Sequence, residues 1–411
     1  MYQLGFYFYI SIFRIVSLFH KKARKMVKGH KDTWTILNDK MDDNRPWLWF
    51  HASSLGEFEQ GRPIMEQIRI SHPEYAILVT FYSPSGYEVK KDYAGADIVC
   101  YLPFDTIPNV KRFLNLVRPK MAFFIKYEFW PNYLRELKKR NIPTFLISGI
   151  FRTNQAFFKS YAAPYRRLLK CFTHFFVQDQ ASVDLLKSIG YSSNVTISGD
   201  TRYDRVLEIK DKAKELDIVQ AFLGKNNDSS NKVLVAGSSW PKDEALFIPY
   251  FNAHPELKLI IVPHEIHEEH LKSIEALLER PFSRYSQTNP EEANKYDCLI
   301  IDCFGLLSSI YRYGDIAYIG GGFGTGIHNT LEATVYGIPV LFGSNYDKFI
   351  EAKSLIKCGG GFGFSTKEEL DSLLDNLISN NETCKTAGEM AGEMVIKGGG
   401  STKIVLQAIK L

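Results

Sequence analysis

The sequence predicts an α/β protein built from two parallel-sheet halves, and three observations predict it. Its 411 residues exceed what one comfortable core holds and suit two domains. Short β-rich runs alternate with amphipathic stretches, the pattern of a parallel sheet with crossover helices. That alternation then pauses at a polar stretch and restarts.

In the first half the expected strands are WLWFH (47–51), AILVTFY (76–82), IVCYLP (98–103), MAFFI (121–125), TFLIS (144–148) and HFFVQ (174–178). Helical patterns such as PNYLRELKKRN (131–141) and ASVDLLKSIG (181–190) separate them. RYDRVLEIKDKAKELDIVQAFLG (202–224) reads as helical, and KNNDSSN (225–231) as a linker with turn chemistry. The second half runs through KVLVAGSS (232–239), LKLIIVP (257–263), DCLIID (297–302), DIAYIGG (315–321) and IPVLFG (338–343). A last helical run, KIVLQAIKL (403–411), is placed to pack back across the halves. Open α/β sheets bind ligands beyond the carboxyl ends of their strands. Two Rossmann-like domains facing a central cleft would therefore hold their site in that cleft. The expected division is an N-terminal segment at 1–31, a domain at 32–208, a linker region at 209–231 and a domain at 232–411.

Composition narrows the class. Hydrophobic residues make up 45% and charged residues 23%, which excludes global disorder. The six cysteines contain no CxxC pair, as in a reducing compartment with buried thiols. The net charge of +4 is unevenly placed, because HKKARKMVKGHK (20–31) alone carries six Lys or Arg and no acid. Upstream, MYQLGFYFYISIFRIVSLF is apolar and aromatic but broken by Arg14. It lacks the basic start and small-residue cleavage site of a signal peptide. Arg14 makes a lone span costly, so a shallow anchor with a basic collar for anionic lipid on the cytoplasmic side is expected. A first helix merely packed on the domain has the same pattern. These basic residues adjoin an apolar run rather than interleaving with stacking aromatics, so no nucleic-acid partner is expected.

The sharpest local signal is IGGGFGTGIHNTLEATVYGIPVLFG (319–343), a strand, a glycine run and a helix expected to begin near Asn329. It fits neither a dinucleotide fingerprint nor a Walker loop. Asn329 and Glu332 have capping-box spacing. Five glycines, which a cap alone does not need, favour close approach of a phosphate to the backbone, with Glu332 on ribose hydroxyls. PHEIHEEH (263–270) spaces His264, His267 and His270 by three, which is not zincin spacing, so no metal site is expected.

HASSLGE (51–57), YEFWPN (127–132), SGDTRYD (198–204), AGSSWPKDE (236–244) and GIHNTLE (326–332) fall in order across nearly the whole chain. As an ordered set they resemble the 3-deoxy-D-manno-octulosonic acid (Kdo) transferases, membrane-associated glycosyltransferases of the GT-B fold. The resemblance implies transfer of Kdo from CMP-Kdo to a lipid A precursor such as lipid IVA, in lipopolysaccharide synthesis at the cytoplasmic face of the inner membrane. It places the catalytic base on Glu57 and transition-state roles on Glu128 and Arg202. It places CMP-Kdo contacts on Pro263 and His264, on Phe304, Gly305 and Leu306, and on Asn329, Thr330, Leu331 and Glu332. Two positions differ from the family pattern: Arg202 stands for lysine and His264 for arginine, with Arg152 or Lys242 as stand-ins for the second. Neither a cofactor nor a metal is implied.

Each implied role has a plainer counterpart. Glu57 is also an acid at a helix start, which would lower its pKa and weaken it as a base, while burial would raise it. Glu128 is also an ion-pair partner beside Trp130, and Arg202 a solvated helix residue. Two other functions fit the same fold: a GT-B enzyme using a UDP-sugar, transferase or UDP-GlcNAc epimerase, and a non-catalytic membrane scaffold.

Overall fold

The structure is a computed structural model that describes residues 2–42, 44–159, 162–224 and 231–411, so most of the expected linker at 225–231 lies outside the described residues. Two compact units emerge, Met1–Arg205 with Gly399–Leu411, and Val206–Gly398. The carboxyl-terminal helix Ser401–Ala408 thus counts with the first unit, whereas the sequence reading grouped 232–411 together. Its Val405 and the following Ile409 join the core layer beneath β1, named below, and Asp204 accepts from the Gly400 and Thr402 amides.

The first unit holds one parallel sheet. Its strands are β1 (Trp47–Ala52), β2 (Ala76–Phe81), β3 (Ile98–Tyr101), β4 (Met121–Ile125), β5 (Thr144–Gly149), β6 (His174–Val177) and β7 (Val195–Ile197), in the order β3-β2-β1-β4-β5-β6-β7. β1 is buried along its whole length. Trp49 packs on one face with Phe113 and Phe124, and Phe50 on the other, stacked on Phe123 at 4.4 Å. A strand sandwiched by two helical layers loses the usual apolar-polar alternation, and so WLWF reads as an unbroken apolar run.

The second unit repeats the plan with β8 (Lys232–Ser239), β9 (Leu257–Pro263), β10 (Phe282–Arg284), β11 (Cys298–Ile300), β12 (Ile316–Ile319), β13 (Val340–Gly343) and β14 (Gly361–Phe364). Their order is β10-β11-β9-β8-β12-β13-β14, again all parallel. In each sheet the strand order reverses beside the first strand, between β1 and β4 and between β8 and β12. Such switch points open a crevice at the strands' carboxyl ends, where ligands bind.

Three helices shape the first unit's site. α1 (Tyr2–Phe19) and α2 (Lys21–Lys40) are separated by one residue, His20, and α3 (Leu55–Ser71) follows β1. α1 is long and apolar enough to cross a membrane, yet only Ile10 and Ser17 along it are buried. Phe6 and Phe13 rest on Phe104, Tyr2 donates to Asp105, and Gln3 to Asn132. Leu4, Phe8, Ile12, Ile15, Leu18 and Phe19 are exposed. The basic collar is no loose segment. It forms the first half of α2, which buries Ala23, Met26, His30 and Thr33 and turns Lys21, Lys22, Lys25, Lys28 and Lys31 to the outside. Arg24 donates to the carbonyls of Ser17 and Leu18, capping the end of α1 with a cation. The helical run expected over 202–224 is two helices, Arg202–Asp211 and Asp217–Leu223.

Candidate active site

At the first switch point His51 of β1 stands in register with Phe124 of β4 and with Thr80 of β2, and is fully buried. Its Nδ1 lies 3.0 Å from the Thr80 carbonyl and 2.9 Å from the Thr80 hydroxyl. Nε2 lies 3.0 Å from Glu128 Oε2, and the Trp130 indole donates to that same oxygen at 2.6 Å. The same indole also lies 2.9 Å from His51 Nε2, so its N–H is shared between the imidazole and the carboxylate. Burial works to raise Glu128, but the hydrogen bond and charge of His51, with the Ser53 hydroxyl and Trp130, hold it below the ordinary carboxylate range. Glu128 is therefore an anion.

Glu57 occupies the first turn of α3. Ser54, the residue before the helix, makes no side-chain cap, and Glu57 Oε2 instead accepts from the Ser53 amide at 2.6 Å. Glu57 thus takes over the cap of α3. The helix start does oppose protonation, through the Ser53 and Ser54 amides and with Lys126, but loses. Burial first, then the negative charge of Glu128, pushes Glu57 up to about 8. Lys126 exits β4 with a left-handed backbone, φ 66°.

Arg202 is no solvated surface residue. It opens the helix Arg202–Asp211 and grips Asp200 from Nε at 2.9 Å and Nη2 at 2.7 Å. Gln60 of α3 donates to both Asp200 oxygens at 3.3 Å, and the Thr201 hydroxyl donates to the Gln60 carbonyl. The SGDTR segment is thereby fastened to the helix that carries Glu57. Glu57 and Glu128 share one cluster, and Arg202 reaches it through α3.

The second switch point is aromatic and glycine-rich. Trp240 follows β8 and His264 follows β9. His264 stacks between Trp240 at 4.6 Å and His328 at 4.4 Å. The Trp240 indole donates to His328 Nε2 at 3.0 Å, and burial, then the nearby His264, pushes His328 down to about 4. Beside the stack is a cavity of about 390 Å³ lined by Trp240, Lys242, Asp243, Gly321, Phe323 and Thr325. Asp243 accepts from the amides of Gly321 and Trp240 and from the Tyr318 hydroxyl, which pins the glycine turn to the next helix. Burial nevertheless raises Asp243.

The other expected nucleotide contacts are divided. Pro263 ends β9, and the His264 amide donates to the Ser239 carbonyl. Phe304 is exposed, Gly305 turns with φ 91°, and Leu306 packs on the core. Asn329 and Glu332 are joined at 2.9 Å, with Asn329 Oδ1 accepting from the Leu331 amide. One expectation needs correction here. The helix is a single turn, Leu331–Thr334, too short for a helix-terminus anion site. Thr330 and Leu331 are fully buried. Two of the five glycines also have packing reasons, since a Cβ on Gly320 would strike the Ser238 carbonyl and one on Gly322 would lie 2.5 Å from Gly343.

His264, His267 and His270 have separate tasks. His264 stacks, His267 caps the helix Glu268–Leu277, and His270 pairs with buried Glu244 at 2.9 Å. Sequence reading missed His51, Asp200, Trp240 and His328 as members of these clusters. All four lie inside the ordered motifs, His51 in HASSLGE, Asp200 in SGDTRYD, Trp240 in AGSSWPKDE and His328 in GIHNTLE, which were the available signal.

Two Rossmann-like units with polar or glycine-rich clusters at their switch points define a GT-B architecture. UDP-GlcNAc 2-epimerase from Neisseria meningitidis, solved bound to UDP-GlcNAc, is similar in fold, with TM-score 0.60, 15% identity, and coverage of 88% of this chain and 98% of that one. The family profile described as 3-deoxy-D-manno-octulosonic-acid transferase (kdotransferase) matches residues 24–205. The 3-deoxy-D-manno-octulosonic acid transferase of Aquifex aeolicus is 30% identical over 347 residues, covering 82% of this chain and 88% of the relative. That of Haemophilus influenzae is 25% identical over 376 residues, covering 88% and 86%. The chain belongs to the Kdo transferase family.

Proposed function

We propose that this chain transfers Kdo from CMP-Kdo to the phosphorylated, acylated disaccharide precursor of lipid A, with inversion at the anomeric carbon and Glu57 as general base. The observation that carries this reading is Glu57 itself, a half-buried carboxylate pushed up to about 8 beside the Glu128 anion. Glu57 takes the proton of the acceptor hydroxyl as that oxygen bonds to the anomeric carbon. The bond to the phosphate oxygen breaks, and CMP leaves with the electron pair. Arg202, fixed by Asp200, offers a cation to developing negative charge, and Glu128 an anion to the oxocarbenium-like centre.

The nucleotide belongs to the second unit, with Pro263, His264, Phe304–Leu306 and Asn329–Glu332 as its contacts. The Trp240–His264–His328 stack offers a flat face for a base. The exposed apolar side of α1 and the outward lysines of α2 support residence on an anionic membrane surface, the inner membrane's cytoplasmic face. Mass spectrometry of the acceptor after incubation with CMP-Kdo tests the reading. Addition of Kdo mass is expected. An unchanged acceptor, with sugar added instead from a UDP donor, would overturn it.

A further inference from the structure

A second cavity, of about 470 Å³, opens where α1, α2 and the Pro103–Phe104 segment meet. Arg14, His30, Lys31, Trp34, Phe104 and Asn109 line it, and no carboxylate is among its lining residues. Among the described residues neither Arg14 nor Lys31 forms an ion pair, and Arg112 stacks 4.1 Å from the ring of the lining residue Trp34. Deepest is His30, 6% exposed and stacked 4.0 Å from Phe104. Among the described residues neither ring nitrogen has a partner in full hydrogen-bond geometry, and the Leu102 backbone is near enough to favour the charged ring. A buried imidazole in that condition costs stability unless something fills its donor and acceptor positions.

We propose that this cavity binds the phosphate of a membrane phospholipid headgroup. A phosphate accepts from the His30 N–H and from two cations at once, which one side chain of this protein does not do there. The position suits the source. Arg14 interrupts the apolar helix α1, and Lys31 belongs to the basic face of α2, so the cavity lies where acyl-facing surface gives way to headgroup-facing surface. The source of the phosphate, though not the cavity's chemistry, rests on the membrane reading above.

The test compares two double variants of the full chain that remove equal charge, Arg14→Gln with Lys31→Gln in the cavity and Lys22→Gln with Lys28→Gln outside it. Sedimentation with phosphatidylcholine vesicles containing phosphatidylglycerol reads membrane affinity, and tryptophan emission under titration with glycerol phosphate reads the headgroup alone. The cavity pair should weaken vesicle binding about tenfold more than the outer pair. It should also abolish an emission change that Trp34→Phe removes. Equal losses in the two pairs, with no emission change, would overturn the cavity and leave the membrane reading standing. Failure of the unaltered protein to bind vesicles would overturn the membrane reading, and the glycerol phosphate titration then decides the cavity by itself.

Discussion

His51 and Glu128, brought together from positions 77 residues apart, lie 3.0 Å apart inside the first unit. After burial, the Glu128 charge is the largest influence on how Glu57 titrates. Around Glu57 stand Glu128, Lys126 and the amides of Ser53 and Ser54, with Tyr127 also in its field. A base must be deprotonated to act, so kcat/KM should rise with pH along a limb near 8. Glu128→Gln removes the raising charge and should move the limb to lower pH, with a kcat loss of about 10- to 100-fold. His51→Gln removes the imidazole contact that holds Glu128 low, favours its protonation, and should move the limb the same way. pH profiles of the three proteins check this, and an unmoved limb would count against the coupling.

Stability carries the same signature. Glu57 is raised in the folded protein from an ordinary 4.5 to about 8. The folded state therefore holds a proton that the unfolded chain has lost, and stability falls as pH rises from about 4.5 to about 8. Glu57→Gln, which keeps an oxygen for the Ser53 amide, lacks this dependence. Its Tm relative to the unaltered protein should climb across that window and level off above it. A constant difference would show that Glu57 ionises normally.

Arg202 holds its carboxylate through two nitrogens, a fork that lysine does not offer. Arg202→Ala should lower kcat by about 100-fold or more, and Asp200→Asn, which loosens the guanidinium without removing it, by less. Steady-state kinetics separates the two. Equal losses would mean that Asp200 matters for folding of the SGDTR segment rather than for aiming Arg202.

In the second unit, CMP should bind more tightly than UDP, as read by calorimetry. His264→Ala, which opens the ring stack, should weaken CMP by about tenfold. Tighter UDP binding would favour the UDP-sugar alternative.

Much of the fold was legible because both sheets are parallel and buried. MAFFI at 121–125 and LKLIIVP at 257–263 are continuous apolar runs whose ends coincide with β4 and β9. β7, β10 and β14 escaped notice. Each has only three or four residues, and VTI, FSR and GFGF carry too little apolar length to stand out. The break at 212–216 was invisible because its lysines and acids suit a helix as well as a turn. Glu57 and Glu128 could be picked out by motif. Their shared electrostatics could not, since it depends on His51 and Thr80, 29 residues apart and joined only by strand pairing. The glycine run was legible as a close approach, but sequence does not say whether ligand or chain makes it, and at Gly322 it is the backbone of Gly343.

The base assignment is tested most directly by transfer from CMP-Kdo with Glu57→Gln, measured alongside CMP affinity. Glutamine keeps the size and the cap but takes no proton, so turnover should drop by about 100- to 10,000-fold while CMP binds as before. Turnover within a few fold of the unaltered protein would contradict Glu57 as the base.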